Sequence, residues 1–370
     1  MIYLDYSATT PVNKEVLDTF NKVSLNFIGN PNSLHKLGVN SKRLIDDATK
    51  QIANILNIKE NEIIYTSGSS ESNNLAIKGI CEKYQRKGKH IITTALEHSS
   101  IYGPINYLQN KGFEVSFVKL NNGIVDIDDL KSLLREDTIL VSIASVNSEI
   151  GLLQDIDTIG KVIKSNSNAI FHVDMTQSVG KIHIPLNNID LVSFSAHKFY
   201  GLKGIGVLVK KENIKLEPLI HGGKSTTPYR AGTPFVALIA SLAKALRISY
   251  IDLDKKYNYI KELKEYLINN LAQYSKVKIN ESTTIPHILN FSILGVKPET
   301  MQHALEEYDI YISTQSACAK EVESKAVLAL TNDSKRALSS VRISLSYLTT
   351  KEEIIEFLKI FDIVYKRLTW

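Results

Sequence analysis

Short runs of apolar residues alternate with longer amphipathic segments from about residue 13 to residue 210. The runs have the length of buried strands, and the segments between them, such as 41–56 and 71–86, place apolar residues at helical spacing. This alternation predicts a mostly parallel sheet covered by helices. The runs that predict strands are EIIYTS, KHIITTA, FEVSFVKL, TILVSIAS, AIFHVD, IDLVSFSA and GIGVLVKK.

The pattern changes after the loop at 221–233. A long helical pattern covers 235–274, with a predicted break at 252–256, and leads into a mixture of strands and helices. The strands of this later part are predicted at HILNFSIL, IYIST and SVRISLS, and its helices at 298–308 and 351–368.

These patterns predict an α/β fold with two domains, as expected for a chain of 370 residues. We expect a large domain over residues 13–250. Residues 1–12 and 251–370 would form a smaller α+β domain. Residues 2–11 have no obvious strand partner in the large sheet, and we expect them to cross the domain boundary beside the functional site.

Charge and apolar content exclude two classes of function. The 44 basic and 39 acidic residues are interspersed and give a net charge of +5, so the sequence shows no basic patch for direct nucleic-acid binding. No apolar run reaches membrane-spanning length, and the first residues, MIYLD, lack the features of a signal peptide. We therefore expect a cytoplasmic protein without a membrane segment.

The two cysteines, Cys81 and Cys318, are too few for a disulfide framework and lack the spacing of a metal site. We interpret both as free thiols and expect no metal site.

A lysine follows the predicted strand DLVSFS, in the sequence AHKFYG. Lys198 therefore lies at the carboxyl end of a buried strand, where ligands bind in open α/β sheets. An amine held away from water loses proton affinity and can form a Schiff base with a carbonyl. Taken alone, Lys198 would more readily be interpreted as a solvated loop residue.

An acidic residue, Asp174, ends the preceding predicted strand, AIFHVD, at the same edge of the sheet. A carboxylate there can keep a pyridine nitrogen protonated, which makes the ring an electron sink. Lys198 and Asp174 together indicate pyridoxal phosphate (PLP) as the cofactor.

A serine-rich turn, TSGSSE at 66–71, joins a predicted strand to a predicted helix. Its N–H groups and hydroxyls, those of Ser69 and Ser70 above all, are placed to bind a phosphate at the positive end of the helix dipole. An ordinary helix N-cap is the alternative for an isolated turn of this kind.

Four other polar residues lie at or just after predicted strand ends. His98 can stack on a flat ring or move a proton, and a purely structural histidine is an equal alternative. His197 can bind phosphate or be structural. Ser195 and Gln177 occupy positions that would tolerate apolar residues, which indicates hydrogen bonds to a ligand.

Eight motifs in a fixed order resemble the class V aminotransferase family and, within it, cysteine desulfurases of the NifS and IscS type. The resemblance covers residues 3–352, and the combined order is specific although each motif alone is weak. The motifs are LDYSATT at 4–10, GNPNS at 29–33, TSG at 66–68, EH at 97–98, HVD at 172–174, QSVGK at 177–181, SAHK at 195–198 and RAGT at 230–233.

This resemblance implies a homodimeric, fold-type-I PLP enzyme. It assigns the Schiff base to Lys198, contact with the ring nitrogen to Asp174, stacking on the ring to His98 and contact with the ring hydroxyl to Gln177. The residues implied to hold the phosphate are Ser70, Ser195, His197 and, reaching across to the neighbouring subunit's cofactor, Thr233.

The resemblance further implies that L-cysteine is converted to L-alanine. Cys318, in SAC at 316–318, matches the nucleophile that forms a persulfide, and a thiolate is the reactive form. A lone cysteine would otherwise be interpreted as a small core residue. Arg342 matches the arginine for the substrate carboxylate, which a guanidinium binds in a bidentate manner, and Asn32 is assigned to the same substrate. The sulfur would pass to an acceptor protein, either an Fe–S scaffold or a tRNA-thiolation enzyme.

The sequence departs from the family pattern at several places, of which three concern the predicted site. Asn147 and Ser148, both assigned to the cofactor, replace an Asn-Asn pair, so a serine stands where an amide is usual. Lys224 and Gln315 replace a glutamine-containing motif and a glycine, and glycine permits backbone angles that glutamine resists. These changes predict an altered choice of substrate or acceptor.

Two alternatives to a cysteine desulfurase follow from the sequence. One is another class V PLP enzyme, either a small-substrate aminotransferase or a selenocysteine lyase. The other is a catalytically weak scaffold or partner protein that retains the fold and the dimer.

Overall fold

The computed structural model describes residues 1–223, 225–314 and 323–369. The predictions for Lys224, Gln315 and Cys318 therefore lie outside the described residues.

The strands and helices are as follows. The strands are β1 (Ile2–Tyr3), β2 (Ile63–Thr66), β3 (His90–Thr93), β4 (Glu114–Phe117), β5 (Leu120–Asn121), β6 (Ile124–Val125), β7 (Thr138–Ser142), β8 (Ile170–Asp174), β9 (Leu191–Ser195), β10 (Gly206–Lys210), β11 (Val277–Ile279), β12 (Ile288–Ile293), β13 (Ile310–Tyr311) and β14 (Ser340–Ser344). The α-helices are α1 (Lys14–Asn26), α2 (Lys36–Leu56), α3 (Ser69–Tyr84), α4 (Ser99–Gln109), α5 (Ile127–Leu133), α6 (Ile156–Asn166), α7 (Val236–Tyr250), α8 (Leu253–Leu271), α9 (Pro298–Glu306), α10 (Lys325–Thr331), α11 (Ser334–Ala337) and α12 (Lys351–Thr369).

The main sheet has the strand order β2-β10-β9-β8-β7-β3-β4 in the described part of the chain. Neighbouring strands from β9 to β4 are parallel, whereas β10 is antiparallel to both of its neighbours. This arrangement confirms the predicted α/β fold with a mostly parallel sheet. The carboxyl ends of all the parallel strands therefore meet at one edge, where a ligand site is expected.

Helices cover both faces of this sheet because its strands are apolar on both sides. In β10, Val207 and Val209 pack into the core that also contains residues of α2, α6 and α7. Leu208 packs into the opposite core, with residues of α3 and α4. No helix in the described residues combines the length and apolarity that a membrane crossing requires.

A second core lies in the later part of the chain. The antiparallel strands β11, β12 and β14 pack against α8, α9 and α12 through aliphatic and aromatic residues such as Leu267, Phe291 and Phe361. Helices α7 and α8 are separated at Asp252, which has a φ of 51°, so the predicted break in the long helical pattern is confirmed. The division of the chain into domains at residue 250 stays a prediction.

The N-terminal segment joins the two regions. Strand β1 pairs in parallel with β13, and Asp5 forms a bridge with Ser344 of β14. A few residues later, the Thr10 N–H donates to the carbonyl of His197, beyond the end of β9. The segment thus runs from the smaller sheet to the carboxyl edge of the main sheet.

Candidate active site

The amine of Lys198 lies at the carboxyl edge of the main sheet, in the turn that follows β9. Its Nζ donates to the carbonyl oxygens of Ser7 and Ala8, each at 2.7 Å. Burial lowers the pKa of this lysine to about 8; Arg342 lowers it further, while Asp5 and Asp174 oppose the shift. At pH 7 roughly a tenth of this amine is therefore unprotonated and nucleophilic, far more than for an ordinary lysine.

The carboxylate of Asp174 is 7% exposed at the end of β8, the strand next to β9. Asn73 of α3 donates its Nδ2 to Asp174 Oδ2 at 2.8 Å. The backbone N–H of Thr176 donates to Asp174 Oδ1 at 2.9 Å. These two hydrogen bonds fix the orientation of the carboxylate. A carboxylate fixed in this way is a suitable partner for a cationic ring nitrogen.

Helix α3 begins beside the end of β9 with an N-terminus suited to an anion. The N-cap is Gly68, which has no side chain to accept a hydrogen bond from the first turn. Ser69 and Ser70 are the first two residues of the helix, so their N–H groups lie at the positive end of its dipole. A Cβ on Gly68 would lie 3.5 Å from Ser195 Oγ, which places that hydroxyl at the same turn.

A close approach between β10 and the turn before α3 requires glycine at position 206. A Cβ there would lie 2.6 Å from the Cα of Gly68. The contact brings the turn before α3 directly against β10, so the phosphate-binding candidates and the end of β9 share one corner of the sheet edge.

His98 is the N-cap of α4, and its Nδ1 accepts from the Ser100 N–H at 3.1 Å. Desolvation lowers the pKa of His98; Asp174 opposes the shift and Lys198 adds to it. The preceding residue, Glu97, is buried and accepts from the Ala144 N–H with both carboxylate oxygens, at 3.1 and 3.0 Å. Glu97 thereby fixes the loop before α4 to the end of β7, and burial raises its pKa to about 8.

The N-terminal segment supplies hydrogen-bond partners to two further predicted residues. Gln177, 4% exposed, donates its Nε2 to the Ser7 carbonyl at 3.0 Å. His197 Nδ1 lies 3.1 Å from Thr9 Oγ1. Burial lowers the pKa of His197 to about 4, with Lys198 adding to the effect, so this imidazole is neutral near pH 7.

Arg342, on β14, has its guanidinium at the same edge and is 8% exposed. Its Nη2 donates to Asp5 Oδ1 at 2.7 Å, and its Nη1 donates to the carbonyl of Ser148 at 2.9 Å. Its Nε is buried and has no acceptor among the described residues. An arginine with an unused donor beside Lys198 is well suited to bind a carboxylate.

The loop that contains Asn147 and Ser148 is fixed by its own hydrogen bonds. Asn147 Nδ2 donates to the Leu96 carbonyl at 2.9 Å, and its Oδ1 accepts from the N–H groups of Glu149 and Ile150. The amide of Asn147 thus holds the loop together. The cofactor contacts predicted for Asn147 and Ser148 stay predictions.

Two predicted residues lie at exposed positions. Asn32 has a local contact in the described part of the chain, from its backbone N–H to Asn30 Oδ1 at 3.0 Å. Thr233 is exposed and lines a cavity of about 250 Å³ together with Ser67 and Arg230. Arg230 Nε donates to Glu71 Oε1 at 3.0 Å, which joins this loop to the first turn of α3.

Sequence reasoning missed several contributors to the site. The contacts of Asp5 and Ser7 join residues far apart in the chain, and no local pattern indicates them. Asn73 and Glu97 did give a signal, since both are polar residues that the surrounding pattern places on buried surfaces. Lys181 is also buried, and its polar position in QSVGK could have been noticed in the same way.

The family model described as Aminotransferase class-V matches residues 2–357. The chain belongs to the class-V aminotransferase family. This membership confirms the predicted family, and enzymes of the class-V aminotransferase family depend on PLP.

Individual members of the class-V aminotransferase family are similar to almost the whole chain. Cysteine desulfurase IscS of Buchnera aphidicola subsp. Baizongia pistaciae is 44% identical over 369 residues, which cover 95% of this chain and 90% of that protein. A solved NifS-like protein has a TM-score of 0.93 at 33% identity, covering 98% of this chain and 99% of its own. SspA, solved in complex with cysteine, has a TM-score of 0.83 at 30% identity, with coverages of 95% and 100%.

The residues at the sheet edge fit the cofactor of the class-V aminotransferase family. An amine of lowered pKa suits an aldehyde, and the oriented carboxylate of Asp174 suits a pyridine nitrogen. The helix N-terminus at Gly68, which has no side-chain cap, suits a phosphate. The aldehyde, the ring nitrogen and the phosphate of PLP thus each have a chemically matched partner within the described residues.

Proposed function

We propose that this chain is a PLP-dependent cysteine desulfurase, which converts L-cysteine to L-alanine and transfers the sulfur to its own Cys318. The observation that carries the proposal is the placement of Lys198 and Asp174 at adjacent strand ends, beside an uncapped helix N-terminus. The similarity to known proteins also supports the proposal: a cysteine desulfurase IscS is 44% identical over 95% of the chain.

PLP, when bound, would stabilise negative charge on the α-carbon of an amino acid. Lys198 would hold the cofactor covalently. Once substrate has replaced this lysine there, the free amine, whose pKa is lowered, would move the α-proton of the substrate. Asp174 would contact the ring nitrogen and Gln177 the ring hydroxyl. His98 would stack on the ring, as the family resemblance suggests. The phosphate would be held by Ser69, Ser70, Ser195 and His197.

Arg342 would bind the carboxylate of the substrate. It retains a buried donor, Nε, with no acceptor among the described residues, and it lies close enough to Lys198 to lower the pKa of that amine. A substrate carboxylate bound here would bring the α-carbon towards the amine that moves its proton. Asn32 is retained as a second predicted contact to the substrate.

Cys318 would accept the sulfur. As a thiolate it would bond to the sulfur of the substrate while the carbon–sulfur bond breaks, and protonation of the carbon would then give alanine. Cysteine and the enzyme thiol thus become alanine and an enzyme persulfide, with no other oxidant or reductant. We propose that an acceptor protein then takes the sulfur from Cys318. The cytoplasm stays the predicted location of the protein.

The Cys318→Ser variant is expected to lower sulfide release from L-cysteine by roughly a hundredfold or more, because a hydroxyl cannot carry the sulfur as a persulfide. Binding of PLP should persist, since the cofactor contacts lie elsewhere. The measurements are alanine and sulfide formed in the presence of a thiol, together with the visible absorbance of the bound cofactor.

Cys81→Ser is the matched control. Cys81 is fully buried in α3, and burial raises the pKa of its thiol, so this thiol is not reactive. Its replacement should lower stability and leave sulfide release per folded enzyme unchanged. Full activity of Cys318→Ala on a substrate other than cysteine would instead favour another class V reaction. Absence of cofactor absorbance in the wild-type protein would favour a scaffold.

We also propose a homodimer. Large apolar side chains are exposed around the end of α1 and the start of α2, among them Leu25, Ile28 and Leu34, the last of which is 96% exposed. Exposed apolar groups of this kind mark protein interfaces. Thr233 is exposed on its loop, where it would be available to a neighbouring subunit's cofactor.

The Leu34→Asp variant is expected to weaken the dimer, because a charge would be buried at the interface. Sedimentation velocity should give twice the mass of one chain for the wild-type protein and a larger share of monomer for the variant at equal concentration. Lys42→Asp, an exposed change in the nearby helix α2 outside this apolar group, serves as the control. A wild-type protein that sediments as a monomer at micromolar concentration would contradict the proposal.

A further inference from the structure

Lys181 is a buried lysine to which the proposed reaction gives no role. It ends the sequence QSVGK after β8 and is 7% exposed. A buried ammonium is costly unless it is well paired, so lysines are rarely buried without a reason. Its surroundings therefore indicate what it does.

A chain of hydrogen bonds leads from Lys181 to the reactive lysine. Lys181 Nζ donates to Gln177 Oε1 at 2.7 Å. Gln177 Nε2 donates to the Ser7 carbonyl at 3.0 Å, and the same carbonyl accepts from Lys198 Nζ at 2.7 Å. Within the described part of the chain, the hydrogen bond to Gln177 is the only one that the side-chain amine of Lys181 donates.

This contact decides the orientation of the Gln177 amide. An amide has a donor end and an acceptor end of nearly equal size, whereas an ammonium can only donate. When protonated, Lys181 therefore holds the oxygen of Gln177 towards itself. The NH₂ group then faces the Ser7 carbonyl, which also accepts from Lys198 Nζ.

We propose that Lys181 is a positioning residue that acts through Gln177, holding the amide so that its NH₂ group faces the cofactor site. The inference rests on the proposed function, because it is the ring hydroxyl of PLP that this NH₂ group would meet. Without Lys181, only the Ser7 carbonyl opposes a turn of the Gln177 amide, so its oxygen would face the ring hydroxyl more often than it does in the wild type.

The charges around Lys181 define its electrostatic effect. Burial lowers the pKa of Lys181 to about 7, and the cations of Lys198 and Arg342 contribute. Burial holds the pKa of His287 well below its usual value, and Lys181 and Lys264 lower it further, so this imidazole is neutral near pH 7. Asp5 and Asp174 act on Lys198 with the opposite sign. Removing Lys181 therefore removes positive charge from the site at and below neutral pH.

The Lys181→Met variant, loaded with PLP, tests the proposal. The dissociation constant for PLP should rise about tenfold, as for the loss of one hydrogen bond. The pH midpoint of the cofactor's visible absorption should move to higher pH by about one unit, since loss of a nearby cation favours protonation. Both readouts are independent of catalytic turnover.

Lys264→Met is the matched control. Lys264 is 5% exposed and bonds to Thr284 and Ile285 without touching Gln177. Its replacement should lower stability and leave the dissociation constant and the midpoint unchanged. If Lys181→Met behaves in the same way as Lys264→Met, Lys181 is merely structural and the proposal is wrong.

A double-mutant cycle shows whether Lys181 acts through Gln177. In a Gln177→Met background, Lys181→Met should cause little further loss of PLP affinity, whereas independent roles would give additive losses. Lys181→Arg keeps a group that can only donate and should keep PLP affinity close to that of the wild type. If Lys181→Met fails to fold, Lys181→Leu takes its place in both comparisons. A wild-type protein that does not bind PLP would overturn the proposed function first, and this inference with it.

Discussion

The Lys198→Ala variant is expected to lose cysteine desulfuration by at least about a thousandfold, because one amine both holds the cofactor and moves the substrate proton. Treatment with borohydride, followed by mass spectrometry, should find the cofactor fixed to position 198 in the wild-type protein and not in the variant. PLP should still bind the variant non-covalently, since Asp174 and the start of α3 are unchanged.

The pH dependence of cofactor attachment provides a second readout for Lys198. Burial lowers its pKa to about 8, and only the unprotonated amine attacks an aldehyde. The attachment rate to the cofactor-free protein should therefore rise with pH up to about 8 and then level off. An ordinary lysine would give a rate that rises until about pH 10.5.

Lys203→Ala is the control for Lys198. Lys203 is exposed five residues further along the chain, and its replacement should leave attachment and turnover close to wild type. Cofactor fixed at a lysine other than 198, or unchanged turnover in Lys198→Ala, would contradict both the assignment of the amine and the function built on it.

The main sheet was predictable from sequence because most of its strands are largely apolar runs that are buried on both faces; the edge strand β4, which is partly exposed, is the exception. Strands β2 and β10, for example, are buried along their whole length and lie within runs that the sequence analysis identified. Two-residue strands such as β1 and β5 are too short to show a period, so no pattern indicates them. Helix α4 was missed as well, since it contains Gly103 and Pro104.

The parts of the site that follow strands were also predictable. Lys198 and Asp174 were indicated because parallel strands bring their carboxyl ends to one edge. The contacts of the N-terminal segment were not predictable, because they join residues that are distant in the sequence: Lys198 to Ser7, and Arg342 to Asp5. Such pairs depend on how the smaller sheet packs against the main sheet, which no local pattern records.

Arg342→Met is the second change with a large expected effect. A substrate carboxylate would lose charge-assisted hydrogen bonds, each worth about 1.5–3 kcal/mol, so kcat/KM for L-cysteine should fall by roughly a thousandfold. Most of the loss should appear as a higher KM. Cysteamine, which is cysteine without the carboxylate, should bind the wild type and the variant about equally.

Stability must be measured alongside, because Arg342 also holds Asp5 and the Ser148 carbonyl. The matched control is Arg336→Met: Arg336 donates to Asn280 Oδ1 and to the Ile279 carbonyl, which are structural contacts. Both variants should unfold at lower temperature, but only Arg342→Met should raise KM. An equal loss of binding for cysteine and cysteamine would mean that Arg342 acts by fixing the N-terminal segment under Lys198 rather than by binding the carboxylate.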